Sequence, residues 1–325
     1  MTAATPALAS RTLLVIGGTG FFGKSILDAF IDGALTPWQI GRVIVLARHA
    51  SALPMQFPEF ATPGIEYIDA DIARSDALPA ADIVIHAAAS TDARDYLTRP
   101  VTERQNILAG TLNYCRLAPI FHAHSQIVYA SSGAVYGPLE ALIPVREDAP
   151  MRDIDAMPEG KRPYAAAKRD AEQAIKALGQ AGLRVSIARC FAFIGRWLPR
   201  DQHFAIGNFI QNGLDGTPIV VKATHPVYRS YMHADDLVTW LLHIAAASAA
   251  DCPTFNVGSD QSLTMAQIAG HVAQHFKVPL QIAVPTSATI DWYVPSIDKA
   301  QQQLGVALRF DLAQAIAATT GQRRA

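Results

Sequence analysis

The chain has 325 residues, half of them hydrophobic and 17% charged, with a formal net charge of −1. That supplies a core for one large domain, or one domain with a smaller appendage, and leaves no Lys/Arg run or charge bias that would suit a nucleic-acid or polyanion partner. Three dispersed cysteines, Cys115, Cys190 and Cys252, in or beside apolar stretches imply reduced structural thiols in a cytoplasmic protein, and no Cys/His grouping has metal-ligand spacing.

Residues 1–10 are small and polar and read as a disordered tail, and "TTGQRRA" at the other end reads as frayed. The apolar run 13–16 is far too short for a signal segment or a membrane span. From there, short β-branched runs alternate with helical patterns. "TLLVIGG" reads as a strand and "FFGKSILDAFIDG" as a helix closed by Gly33. "RVIVLAR", "IEYIDAD" and "DIVIHAAA" read as strands, followed by a helix over 101–117 and the strand "QIVYASS". A helix over 164–178 and the strand "RVSIARC" complete this part. The strands are apolar on both faces, as in a parallel sheet covered by helices on both sides. Alternating β and α implies right-handed crossovers and a Rossmann-type, doubly wound α/β sheet.

After Cys190 the texture changes to more prolines and loops, with helical stretches in "RSYMHADDLVTWLLHIAAAS", "SLTMAQIAGHVAQHF" and "FDLAQAIAATTG". The expected organisation is a dinucleotide-binding domain over 11–190 and a smaller, mostly helical substrate lobe over 191–325, partly interleaved with the sheet. No internal repeat or low-complexity segment is present.

Five stretches carry chemistry. "GGTGFFG" follows the first strand and opens the first helix, with Gly17, Gly20 and Gly23 spaced as GxxGxxG around Phe21 and Phe22. Glycines in that context let the backbone approach a diphosphate while N–H groups at the helix start face its charge; the alternative is a plain glycine turn. The second strand ends at Ala47 and Arg48 with no acid. A carboxylate there would accept the ribose hydroxyls of NAD, whereas Arg48 suits a 2′-phosphate, so NADP(H) is favoured over NAD(H); a solvated arginine is the alternative. Asp71 could accept from an adenine amino group or simply cap a turn. Ala87, Ala88 and Ala89 would let a cofactor lie against the backbone, with His86 before them read as a satisfied core histidine. In "RPYAAAK", Tyr164 and Lys168 stand four residues apart on a helix that opens after a proline, and so share one face. That spacing alone is a weak signal.

"GGTGFFG", "HAAA", "YASSGAVYG" and "YAAAK" in this order resemble the extended short-chain dehydrogenase/reductase family of nucleotide-sugar epimerases, dehydratases and reductases. "RSYMHADDL", "FNVGS" and "VPSIDKAQQQLG" are similar to its later landmarks. The resemblance implies that Tyr164 is the catalytic acid/base, Lys168 its partner on the nicotinamide ribose, and Ser132 a hydrogen-bond donor to the reacting oxygen. It implies that Asp71 and the backbone of Ile72 flank the adenine and that Arg229 meets the substrate diphosphate, unless Arg229 pairs with Asp235 or Asp236. Asn208 and Phe209 would line the nucleotide pocket, or belong to an ordinary amphipathic helix. A 4,6-dehydratase carries an Asp-Glu pair where this chain has Gly133 and Ala134, which argues against dehydration. Where the family has an asparagine after the sixth strand, this chain has Ala192, which removes one expected phosphate contact; Arg229, Lys222 and His225 could compensate.

The function expected is NAD(P)-dependent reduction of a 4-keto nucleotide sugar, with a nucleotide-sugar 4-epimerase as the alternative and a non-catalytic NADP(H) sensor as a reading of another class. Lowering a tyrosine from about 10 to near 7 requires about 4 kcal/mol. One cation about 4 Å away supplies that at an effective dielectric of about 20, so Lys168, helped by an oxidised nicotinamide, is expected to be sufficient. A homodimer through the 101–117 and 164–178 helices is expected, with no nucleic acid, membrane or metal partner.

Overall fold

The computed structural model describes residues 10–89, 98–202 and 204–321, so all but Ser10 of the expected tail and residues 322–325 of the expected frayed end lie outside the described residues, while Thr319 and Thr320 of that end still belong to the last helix. In chain order the first part runs β1 (Arg11–Ile16), α1 (Phe21–Ile31), β2 (Ile40–Ala47), α2 (Leu53–Gln56), β3 (Ile65–Asp69), β4 (Ile83–His86), α3 (Pro100–Phe121), β5 (Gln126–Ser132), α4 (Arg162–Gln180) and β6 (Arg184–Cys190). The second part runs β7 (Phe193–Ile194), α5 (Ala205–Leu214), β8 (Ile219–Val221), β9 (Val227–Arg229), β10 (Met232–His233), α6 (Ala234–Ala246) and β11 (Thr254–Val257). It continues with β12 (Leu263–Thr264), α7 (Met265–Phe276), β13 (Leu280–Ile282), β14 (Asp291–Tyr293), α8 (Asp298–Leu304) and α9 (Leu312–Thr320).

The main sheet has seven strands in the order β11-β6-β5-β4-β1-β2-β3. Each neighbouring pair in it is parallel. Successive side chains of a strand point to opposite faces. In β1, Leu13 and Val15 enter one core, shared with α1 and α6, while Leu14 and Ile16 enter the other, beneath α3 and α4. All four are fully buried, which is why these strands carry no polar alternation. The strand order reverses between β1 and β4, the point where ligands bind at the carboxyl ends of such sheets.

Past β6 the chain does two things. It returns β11 to the edge of the main sheet and lays α6 across that sheet's face. It also builds a separate core from α5, α7 and α9 around Ile206, Phe209, Ile268 and Ile316. This lobe is less purely helical than its sequence suggests. It carries a three-stranded ladder, β12-β9-β14, and the pair β13-β8. Those strands are two or three residues long, too short to show a period of two in sequence.

Candidate active site

The glycine-rich turn joins β1 to α1. Gly17 sits at a φ of +84°, where side chains are rarely tolerated, and a Cβ there would lie 2.6 Å from the Cα of Ala88. The turn therefore packs against the small residues Ala87–Ala89 at the end of β4. Gly20 is the N-cap of α1, and no side chain caps that first turn. Phe21 and Phe22 pack with Phe193 from β7, at centroid distances of 6.3 and 5.3 Å. A bare helix start beside a small-residue floor fits a dinucleotide diphosphate.

At the adenine end, Arg48 follows β2 and is exposed, with no ion pair among the described residues. The nearest strand-end carboxylate, Asp69 of β3, accepts the backbone N–H of Ser51 at 2.8 Å and its hydroxyl, and so closes a loop. Asp71 lies beyond the end of β3, which stops two residues earlier than the sequence suggests. Its carboxylate accepts the N–H of Ala73 at 3.0 Å and so caps a turn. Ile72 is buried against α3, and its carbonyl accepts from Asn113 at 2.7 Å.

Pro163 stands in the first turn of α4. The helix aims Tyr164 and Lys168 at the end of β5. Lys168 is 3% exposed. Its ammonium donates to the carbonyl of Ala130 at 2.7 Å and to the hydroxyl of Tyr129 at 3.3 Å. It lies 5.9 Å from the centroid of the Tyr164 ring. Ser132 ends β5 and accepts the N–H of Ala134 at 3.2 Å, and its hydroxyl stands beside the phenols of Tyr164 and Tyr293, drawing both down against burial. It therefore caps a turn and serves the site at once.

Opposing effects set the Tyr164 phenol. Burial pushes the Tyr164 phenol above its ordinary value; the Lys168 charge and the Ser132 hydrogen bond pull it down without overcoming that. Lys168 alone is not sufficient, because the same burial that concentrates its field also penalises the phenolate. That gives weight to the other half of the expectation, the help of an oxidised nicotinamide. His86 is a core residue as expected, but not a satisfied one. It stands between Tyr114 and Tyr129, and neither ring nitrogen makes a hydrogen bond. Burial and the Lys168 charge push it down to about 4, so it is neutral near pH 7.

The sequence reading missed Tyr293. It reaches the site from β14, stacks on Phe191 at 4.8 Å and lies beneath the Arg229 guanidinium, 5.9 Å from its centroid. A Cβ on Gly133 would meet the Phe191 ring at 2.6 Å and the Tyr293 hydroxyl oxygen at 2.8 Å. The space a side chain at 133 would need is thus filled. The stretch "VPSIDKAQQQLG" marks this region, but nothing in it shows that the preceding tyrosine reaches β5.

Arg229 pairs with neither Asp235 nor Asp236. Register sets Arg229 of β9 opposite Tyr293 of β14, and Nη2 bonds Asp291 Oδ2 at 2.7 Å. Nη1 donates to the Tyr228 carbonyl at 2.7 Å. Asp236 instead accepts Arg309 at 2.6 Å. Asn208 lies on α5, donates to the Gln202 carbonyl at 2.9 Å, and lines a cavity of about 520 Å³ with Phe209, Asn212, Lys222 and Met265. Behind the site, Glu172 holds Arg189 through two bonds of 3.0 and 2.8 Å and accepts from Ser131 at 2.6 Å. This buried pair braces β5 and β6 one residue from Ser132.

The arrangement places a phenol, a serine hydroxyl and a buried ammonium together, in a chain whose glycine turn fits a dinucleotide diphosphate. Among the described residues, no His/Cys/Asp/Glu group could hold a metal ion. A family model described as the NAD dependent epimerase/dehydratase family matches residues 13–258. The chain is 25% identical to UDP-glucuronic acid decarboxylase 3 of Arabidopsis thaliana over 298 residues, covering 90% of this chain and 83% of the relative. It is 27% identical to GDP-6-deoxy-D-mannose reductase of Pseudomonas aeruginosa over 285 residues, covering 84% and 83%. Its fold matches a UDP-glucose 4-epimerase from Thermotoga maritima, solved with UDP-glucose, at a TM-score of 0.75, 18% identity and coverage of 95% and 97%.

Proposed function

Because the chain belongs to the NAD dependent epimerase/dehydratase family, we propose that it reduces a 4-keto sugar carried on a nucleotide, using NADP(H). The observation that carries this reading is the convergence of Ser132, Tyr164 and Tyr293 at a position where Gly133 admits no side chain. Dehydration would need further acid/base groups there, and the crowding leaves them no room.

Gly17, Gly20, Phe21, Phe22 and Gly23 would hold the dinucleotide diphosphate, Ala87–Ala89 its nicotinamide half, and Arg48 a 2′-phosphate. A nicotinamide held there would supply hydride to the sugar carbonyl carbon. Tyr164 gives its phenolic proton to the carbonyl oxygen, and Ser132 holds that oxygen with a second hydrogen bond. Lys168 lowers the cost of the phenolate left behind. The cavity beside Asn208 receives the nucleoside, with Lys222 at its edge. Arg229 meets the diphosphate once its tie to Asp291 is shared with the incoming charge.

A 4-epimerase is the second reading, since the same hydroxyls serve oxidation and re-reduction; the fold match to an epimerase solved with UDP-glucose favours it. The test is NADPH absorbance with a panel of 4-keto nucleotide sugars. Steady loss is the expected result. Interconversion of two sugars without net loss would replace the reductase with the epimerase, release of CO2 would replace both with a decarboxylase, and cofactor binding with no turnover would leave a sensor. We propose further a cytoplasmic homodimer meeting through α3 and α4, with Val101, Leu112 and Ile120 of α3 exposed. A monomeric mass in solution would end that reading. Among the described residues, no helix is long and apolar enough to cross a membrane.

A further inference from the structure

We propose that Tyr129 is a positioning residue for Lys168: its hydroxyl fixes the buried ammonium at the point from which it acts on Tyr164. The inference rests on the reading of Tyr164 and Lys168 as an acid/base pair. Tyr129 lies on β5, three residues before Ser132, and is fully buried. Its ring alone completes the core between Leu117, Ile127 and Ile187. The hydroxyl is surplus to packing, and burying one without a partner costs about 1–3 kcal/mol.

Both sides of that hydroxyl are used. Thr111 of α3 stands beside it and draws the phenol down against burial, and the Thr111 hydroxyl itself donates to the Ile107 carbonyl at 2.9 Å. With its own proton so used, Thr111 offers the Tyr129 phenol an acceptor, and the phenol oxygen accepts from Lys168 Nζ at 3.3 Å. An ammonium has three N–H donors. Ala130 and Tyr129 take two and leave the third for the site. With a phenylalanine at 129, one protein acceptor would remain. The ammonium could then swing about the Ala130 carbonyl, and its average attraction for the phenolate would fall with distance.

The other groups facing this pair do not compete. His86 from β4 is neutral near pH 7 because burial and the Lys168 charge hold it down to about 4. Cys190 from β6 and Cys115 from α3 are thiols that burial pushes up to about 12. Ser132 and Tyr293 are uncharged hydroxyls in this range. Glu172 of α4 is neutralised by Arg189, and Arg229 by Asp291. Lys168 therefore sets the field at Tyr164, and Tyr129 sets where Lys168 sits.

The test reads Tyr164 directly and needs no substrate. Tyrosinate absorbance is titrated for the full chain, for Tyr129→Phe, and for each of these carrying Tyr164→Phe, with and without NADP+. Subtracting the Tyr164→Phe curve isolates Tyr164. The expected result is an upward move of the Tyr164 midpoint by about one pH unit in Tyr129→Phe, roughly tenfold less phenolate at a given pH, with NADP+ affinity within about twofold. Thr111→Val should move it the same way by less. An unchanged midpoint in Tyr129→Phe, or in Thr111→Val should the first variant not fold, overturns the proposal. If the chain turned over no nucleotide sugar, the proposed function would fall while this titration still stood. If it turned one over and the midpoint stayed put, the positioning role alone would fall.

Discussion

Replacing Gly133 with alanine is the most direct probe of how tightly the site is built. The new Cβ would stand 2.6 and 2.7 Å from two carbons of the Phe191 ring and 2.8 Å from the Tyr293 hydroxyl oxygen. Carbon atoms pack favourably at about 3.5–4.0 Å, so the ring pair must retreat by roughly 1 Å. Inserting one methyl into a filled core costs about 1–3 kcal/mol, and the expected loss of stability lies in that range. Retreat of the stacked pair also draws the Tyr293 hydroxyl from Ser132. If that weakens one hydrogen bond worth about 1.4 kcal/mol in the transition state, kcat/KM falls about tenfold. Urea unfolding and steady-state kinetics measure the two losses separately. A cycle with Phe191→Leu locates the cause, because residues in contact do not add: the smaller side chain should restore part of the Gly133→Ala loss. If Gly133→Ala altered stability by less than about 0.5 kcal/mol and kcat/KM by less than about twofold, the crowding argument against added acid/base groups would collapse.

Other outcomes follow from the same geometry. Tyr164→Phe should lower kcat by about 10²–10⁴-fold, the usual worth of a positioned proton donor, while isothermal titration shows NADP+ binding little changed. Arg48→Ala should weaken NADPH by about tenfold or more and leave NADH unaffected, since it deletes charge-assisted bonds worth about 1.5–3 kcal/mol; equal losses for both cofactors would remove the case for NADP(H). Glu172→Gln strands the Arg189 guanidinium in the core and should cost about 3–5 kcal/mol in urea unfolding. His86 takes up its proton near pH 4 when folded and near 6.5 when unfolded, so the unfolded state binds more protons between those values. Stability should therefore decline as pH falls from about 6.5 to 4, by up to about 3 kcal/mol from this group, and His86→Phe should flatten that stretch of the stability curve.

Much of this architecture is written locally. Strands apolar on both faces demand a sheet covered on both sides, and Leu13, Leu14, Val15 and Ile16 do divide between two cores. The glycine turn is legible because backbone conformation is a local property: Gly17 needs its positive φ whatever surrounds it. Tyr164 and Lys168 share a face because helical period is local too, and Pro163 marks where that period starts. The short ladders of the second lobe were not legible, since two or three residues cannot display a repeat.

What the tertiary structure alone decided concerns partners distant in sequence. The pairing of β9 with β14 gave Arg229 to Asp291 rather than to Asp235 or Asp236, and the same register carried Tyr293 toward Ser132. The closeness of Phe191 and Tyr293 made Gly133 obligatory, and the approach of α3 and α4 to β5 turned the Tyr129 hydroxyl from a strand ornament into an anchor for Lys168. The sign of the Tyr164 shift belongs here as well. Spacing fixes how near the ammonium stands, but burial fixes what the phenolate costs, and burial is a property of the assembled fold.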